Sequence, residues 1–257
     1  MRIEKIIKMK NNKYKINIDG QSIITYDNVI LDNDILYKKN IDDNLYKKIL
    51  IDTKFYDIYN KALKYSLKKR RSEKEIFEYL QKEDLSTYDL NNIINKLKKI
   101  NLINDTDYCR AFINDKINFS NDGINKIKTD LLKQNISIDI INKEIINIDK
   151  ELLYDKLNKI INKKINLNKN KANLVLKKKI LNDMINLGYD YDDINNILLE
   201  KFVDDKAILK SKFNILYSKL EKKYNGNELK QKLKQKLFQQ GFSYEDINEL
   251  ITKKMEE

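Results

Sequence analysis

Leu187-Gly188-Tyr189-Asp190-Tyr191-Asp192-Asp193-Ile194 is the stretch on which the fold turns. Gly188 reads as a helix end, because glycine takes the left-handed backbone that closes a last helical turn. Tyr189 is placed to fold back onto the helix just ended. Asp190 is placed to cap the next helix by accepting a backbone N–H. Asp193, three positions on, favours a helix N-terminus. The same grammar recurs as Gly241-Phe242-Ser243 with Asp246-Ile247, as Asn135-Ile136-Ser137 with Ile140-Ile141, and as Asp84-Leu85-Ser86 with Asp89-Leu90. Asn tolerates the left-handed conformation, whereas Asp84 does so less readily. Positions 84, 135, 188 and 241 are 51, 53 and 53 residues apart, a regularity that chance turns in a biased composition do not produce.

Working outward, each turn sits inside a unit of three helices. The first unit has helices near 57–69, 73–83 and 87–100, and Ser72-Glu73-Lys74-Glu75 is a capping box that starts the middle one. The second has helices near 106–118, 123–134 and 138–147. Units three and four cover about 150–202 and 204–256. Apolar residues follow the helical period, as in Ile127, Leu131 and Leu132, or Leu233, Leu237 and Phe238. The expected divisions are 57–104, 105–149, 150–203 and 204–257. A unit of this size has little core of its own, so neighbours should share apolar faces, giving an all-α, elongated, curved rod of tandem three-helix repeats.

The first 56 residues differ. Apolar residues alternate with polar ones over 3–9 and 14–18, Asp19-Gly20 is a hairpin signal, and Ser22-Ile23-Ile24-Thr25-Tyr26 is β-rich. This predicts a small antiparallel sheet of two or three strands packed on the helices that follow. Residues 27–40 and 42–52 read as two short helices.

Composition narrows the chemistry. The 257 residues carry a formal charge of +12 from 51 basic side chains, but only Arg2, Arg70, Arg71 and Arg110 are arginine. Such a Lys-rich surface attracts phosphates or an acidic partner, beside its plain role in solubility. The absence of His removes the commonest general base, and a lone Cys109 in an apolar helical stretch reads as a small buried hydrophobe. No disulfide framework and no common zinc spacing is possible. No apolar run reaches the roughly 18 residues of a membrane span, and no signal-peptide core is visible, so a cytoplasmic monomer without metal or cofactor is expected.

The candidate contacts are basic. Lys68-Lys69-Arg70-Arg71 holds two of the four arginines. It suits DNA phosphates or acidic side chains of a partner. The competing role is structural, with basic residues at a helix C-terminus and Arg71 paired to Glu75. Arg110, Lys116, Lys126 and Lys128, around Gly123, form a second candidate set, with a solvated surface as the plain alternative. Lys177-Lys178-Lys179 and Lys230, Lys232, Lys234 and Lys236 spread around their helices and form no single stripe. The tyrosines, such as Tyr65, Tyr79, Tyr108 and Tyr189, sit at packing positions.

Three phrases carry a family resemblance. The first is Ala62-Leu63-Lys64-Tyr65, then Arg71-Ser72-Glu73-Lys74-Glu75 and Tyr79-Leu80. The second is Leu102-Ile103-Asn104-Asp105, then Tyr108, Arg110-Ala111-Phe112, Gly123, Ile127 and Leu131. The third is Leu187-Gly188-Tyr189-Asp190-Tyr191. In order and separation they resemble the RecX regulatory proteins, over essentially the whole chain. Family members often have Pro where this chain has Arg70, and Pro with a basic residue where it has Ile124 and Asn125. Lys64, Lys126 and Lys128 stand where Arg is common, keeping charge but losing bidentate recognition. The resemblance implies a non-enzymatic protein that lies in the groove of a RecA filament on single-stranded DNA. Such a protein touches several RecA subunits, opposes filament growth and lowers ATP turnover. Linked modules then add weak contacts through effective concentration.

A helical nucleic-acid-binding protein acting without RecA is the alternative, since three-helix units can place a helix in a groove. No helix, however, carries a clustered set of Arg, Asn and Gln. A tetratricopeptide-like scaffold has a period of roughly 34 residues, well short of this one. An enzyme is the class least supported, because no phosphate loop, metal set or nucleophile–base pair is visible.

Overall fold

The computed structural model describes residues 1–168, 171–202 and 206–255, which divide into two compact units, Met1–Tyr108 and Cys109–Glu257. In the first unit, strands β1 (Ile3–Lys8), β2 (Lys13–Ile18) and β3 (Gln21–Tyr26) form an antiparallel sheet in the order β1-β2-β3. Asp19 and Gly20, both at positive φ, make the two-residue turn between β2 and β3, as the sequence predicts. Asn11 and Asn12, at φ 60° and 56°, turn β1 into β2. A register shift between Ile3 and Lys5 lets Ile3 and Ile6, three positions apart, share the half-buried face. That face covers Ile16, Ile18, Val29, Ile30 and Ile49. The described strands all lie within the first 26 residues, and the elements that follow are helices.

The expected helix over 27–40 is shorter. Helix α1 spans Asp27–Asp32 and a 3-10 turn spans Ile35–Tyr37. Asp34 between them has φ 51°, and the Asn33 amide donates to the Val29 carbonyl and to Asp52, so the helical ladder stops there. The expected separate helices over 42–52 and 57–69 are one, α2 (Asp43–Lys68), capped by Asp42, which accepts from the Leu45 amide at 2.7 Å. The expected division at residue 56 falls inside it. No Gly or Pro interrupts residues 43–68, and the helix has continuous work to do. Ile49 and Tyr56 pack under the sheet, while Ile58 and Ala62 pack on the next two helices, α3 (Glu73–Leu80) and α4 (Thr87–Lys99). Phe55 and Tyr59 border both cores.

Helix α5 (Asp105–Phe119) leads into the second unit, which continues with α6 (Ile124–Lys133), α7 (Ile138–Ile146), α8 (Lys150–Asn166), α9 (Asn173–Asn186), α10 (Tyr191–Lys201), α11 (Lys206–Leu220), α12 (Gly226–Gln239) and α13 (Tyr244–Met255). Helices α8–α10 enclose Leu157, Ile161, Ile180, Met184, Ile194 and Ile197. Helices α11–α13 enclose Phe213, Leu233, Leu237, Phe242, Ile247 and Ile251.

The recurrent turns close by one geometry. Asn135, Gly188 and Gly241 have φ 59°, 85° and 92°. The following residues, Ile136, Tyr189 and Phe242, donate their amides back to Leu131, Met184 and Leu237 and are themselves buried. Asn101, at φ 56°, ends α4 in the same way, with Leu102 donating to Leu97. The first predicted turn differs. Helix α3 ends at Leu80, three residues earlier than predicted, and Asp84 does not take the left-handed conformation. The predicted caps Ser86, Ser137, Asp190 and Ser243 all accept backbone amides.

Candidate functional site

The first candidate surface is the corner between α2 and α3. Lys68 closes the last turn of α2, Lys69 and Arg70 form the bend, and all three side chains are exposed. Arg71 is different. Its side chain is only 14 % exposed, its guanidinium lies 4.0 Å over the Tyr65 ring, and it donates to Glu75 at 3.1 Å. Tyr65 in turn stacks flat on Tyr79 at 4.1 Å. Glu75 also accepts the Ser72 amide while Ser72 accepts the Glu75 amide, which completes the predicted capping box. Arg71 therefore lies in the wall of the corner, and Lys68, Lys69 and Arg70 lie on its surface. Lys69 reaches Glu75 at 3.8 Å; Lys68 and Arg70 form no ion pair among the described residues.

Behind this corner, Asp105 accepts the Glu73 amide at 3.1 Å. Burial pushes the Asp105 carboxyl up, outweighing the Glu73 amide bond and the Lys98 charge, which lower it, while the Glu73 carboxylate adds to the rise. Burial, with Glu75 and Asp105 nearby, pushes the Tyr108 phenol up to about 12. The corner is thus a cationic edge on a half-buried polar junction.

The second candidate set does not come together as a basic face. Lys116 and Lys126 both donate to Asp122, at 2.8 and 2.6 Å. Burial alone would raise the Asp122 pKa, but the two lysine bonds outweigh it and hold the carboxyl at about 2. Lys116 is raised by the same bond. Arg110 makes a two-bond fork to Glu144, at 2.9 and 3.0 Å, tying α5 to α7. Lys128 is half-buried on α6. Three of the four cations are therefore bound to carboxylates within the unit.

Asp122 was not singled out in the sequence, although Lys126 four positions on is the pairing an acidic residue before a helix offers. Around it the backbone is tightly built. The Gly123 amide donates to Leu187 O at 2.6 Å and the Asn125 amide to Gly188 O at 3.0 Å. The free amides that open α6 thus satisfy carbonyls at the close of α9, head to tail. A Cβ on Gly123 would stand 2.5 Å from the Gly188 carbonyl carbon and oxygen. Lys156 donates to the Ile117 carbonyl, and burial lowers its pKa.

Helices closed at Asn101, Asn135, Gly188 and Gly241 by left-handed turns, and opened at Ser86, Ser137, Asp190 and Ser243 by side-chain caps, define a three-helix repeat protein. Residues 216–251 match the family description "RecX, third three-helix domain". The regulatory protein RecX of Streptococcus agalactiae serotype III is 34% identical over 198 residues, covering 75% of this chain and 76% of the relative. That of Lactococcus lactis subsp. cremoris is 29% identical over 264 residues, covering 95% of each. A crystal structure of a regulatory protein RecX has a TM-score of 0.69 at 20% identity, covering 76% of this chain and 98% of that one, and shares the fold. The chain belongs to the RecX family of regulatory proteins. No helix among the described residues is long and apolar enough to cross a membrane.

Proposed function

We propose that this chain is a cytoplasmic, monomeric, non-enzymatic regulator that binds the RecA filament on single-stranded DNA and lowers its ATP turnover. The observation that carries this reading is membership in the RecX family, whose likeness extends over 95% of the chain in the Lactococcus relative. Its working parts are a sheet-bearing region, 1–56, and four three-helix units, 57–104, 105–149, 150–203 and 204–257. Helix α2 is shared between the first two parts.

The contact edge is Lys68, Lys69 and Arg70. Their exposure, with no carboxylate nearer than the 3.8 Å of Glu75 to Lys69 among the described residues, leaves their charge available to phosphate or to acidic filament side chains. Arg71 holds the edge in place through Tyr65 and Glu75. Arg110, Lys116, Lys126 and Lys128 contribute chiefly by shaping the second unit, since three of them already hold carboxylates.

The test is co-sedimentation with RecA–single-stranded DNA filaments from the same organism, with DNA alone as control. Selective pelleting with filaments, together with falling ATP hydrolysis, supports the reading. Equal binding to bare DNA favours a nucleic-acid-binding protein that acts without RecA. No binding to either removes the assignment.

A further inference from the structure

The second unit holds a groove of roughly 760 Å³ bordered by α6, α7, α8 and the start of α10. Its lining is apolar: Ile124, Ile145, Ile148, Leu153, Tyr154 and Leu157. Its rim is acidic, with Glu151 from the first turn of α8 and Asp190, Asp192 and Asp193 from the start of α10, against one cation, Lys150. Each carboxylate has a local role at a helix N-terminus, and Asp190 accepts the Asp192 amide at 2.9 Å. Those roles do not account for three helix starts, of α6, α8 and α10, bordering one apolar cleft. Each helix start contributes about half a positive charge. Set against four carboxylates and one lysine, that still leaves the rim net negative, in a chain whose total is +12.

The rim excludes a nucleic acid, because phosphates would meet carboxylates beside an apolar wall. The wall is also tied across by backbone hydrogen bonding. Gly188 lines the groove, and its carbonyl is held by the Asn125 amide from α6. A partner therefore meets a preformed surface and spends little on ordering it. The volume lies within the range of ligand-binding clefts, roughly 300–1,000 Å³, and admits several aliphatic side chains. Tyr154 lies between wall and rim. Desolvation raises its phenol, with Glu200 and Asp193 adding to the effect.

We propose that this groove docks a protein segment bearing two or three large apolar side chains flanked by Lys or Arg. The apolar side chains fill the cleft over Ile145, Ile148 and Leu157, and the basic flanks meet Glu151, Asp192 and Asp193. The proposal concerns a surface separate from the Lys68–Arg70 edge, and it holds or fails whether or not RecA is the partner.

The test uses the full chain, isotope-labelled for amide NMR, and two synthetic peptides. One carries Leu at i, i+3 and i+4 with Lys at the flanks, and the other has Glu in place of Lys. The Lys peptide should shift amides of Ile145, Ile148, Tyr154 and Asp193 and bind at least about tenfold more tightly than the Glu peptide. Glu151→Lys and Asp193→Asn, on separate helices and each checked for a wild-type circular dichroism spectrum, should each reduce that preference. Ile148→Ser should weaken the Lys peptide without inverting it. The proposal is overturned by equal affinity for both peptides, by no binding, by shifts mapping elsewhere, or by folded variants that keep the full preference.

Discussion

Gly123 and Gly188 meet backbone to backbone, with the Cβ that either could carry landing within 2.6 Å of atoms on the opposing segment. The contact joins the opening of α6 to the close of α9, so two glycines far apart in sequence share one requirement.

Gly188→Val should be among the most damaging single changes in the chain. Its φ of 85° costs a Cβ-bearing residue about 1–2 kcal/mol. A Cβ there would also stand 2.4 Å from the Lys126 amide nitrogen, so overpacking adds about 1–3 kcal/mol. Gly241→Val has the same φ problem, but its clash is with the Val175 side chain, which can shift. Gly20→Ala meets nothing within 4 Å and carries only the conformational cost. Urea unfolding should rank the losses Gly188, then Gly241, then Gly20. A Gly188→Val midpoint equal to wild type would show that the contact does not bear on stability.

Asp122 should make the second unit sensitive to acid. Its folded pKa, about 2, lies below its ordinary 3.8. The sign follows from that depression. The stabilisation is fully present above pH 4 and is lost as pH falls from about 4 towards 2, when the carboxyl takes up a proton and releases Lys116 and Lys126. Asp122→Asn should cost on the order of 1–2 kcal/mol at neutral pH and flatten the stability profile in that acid window. Melting temperatures of both proteins between pH 2 and 7 test it, and parallel curves would remove Asp122 as the cause.

Arg71→Lys should destabilise the first unit by about 1 kcal/mol, even though the charge is kept. A lysine cannot both lie flat on Tyr65 and donate to Glu75 as this guanidinium does. Arg70→Lys, one residue away on the exposed bend, should leave the melting temperature unchanged. Equal effects at the two positions would contradict the division between wall and edge.

What the sequence discloses is what chain neighbours decide. Ser72 with Glu75, Asp19 with Gly20, and Gly188 with Tyr189 and Asp190 are settled within a few residues, so the hairpin, the capping box and the recurrent turns could be read directly. The single helix α2 could not, because its unity comes from two cores that it serves in succession, which only tertiary packing brings to bear. In the candidate site, the exposed Lys68-Lys69-Arg70 run was legible as charge. That Lys116 and Lys126 share Asp122 was not, since Lys116 approaches from α5 and Lys126 from α6. Nor does any local pattern reveal that Gly123 exists to admit the carbonyl of Gly188.

The Lys68–Arg70 edge gives the sharpest functional prediction. Lys68→Glu, Lys69→Glu and Arg70→Glu together should weaken inhibition of RecA's DNA-dependent ATP hydrolysis while leaving the protein folded. All three side chains are exposed and lie outside the capping box of Ser72 and Glu75. Arg71 is left in place because its loss would loosen α3 and confuse a contact effect with a folding effect. Salt separates the two sources of attraction. Phosphate contacts release condensed counterions, so binding through three of them should fall by a slope of roughly two to three in log affinity against log salt. The triple variant should lose that part of the slope. Contacts to RecA side chains alone give a shallower dependence. The measurement is ATP turnover by RecA on single-stranded DNA against added protein at two salt concentrations. Loss of inhibition with an unchanged melting temperature places the contact at this corner. Full inhibition by the folded triple variant moves it elsewhere on the molecule, and no inhibition by wild type removes the regulatory proposal itself.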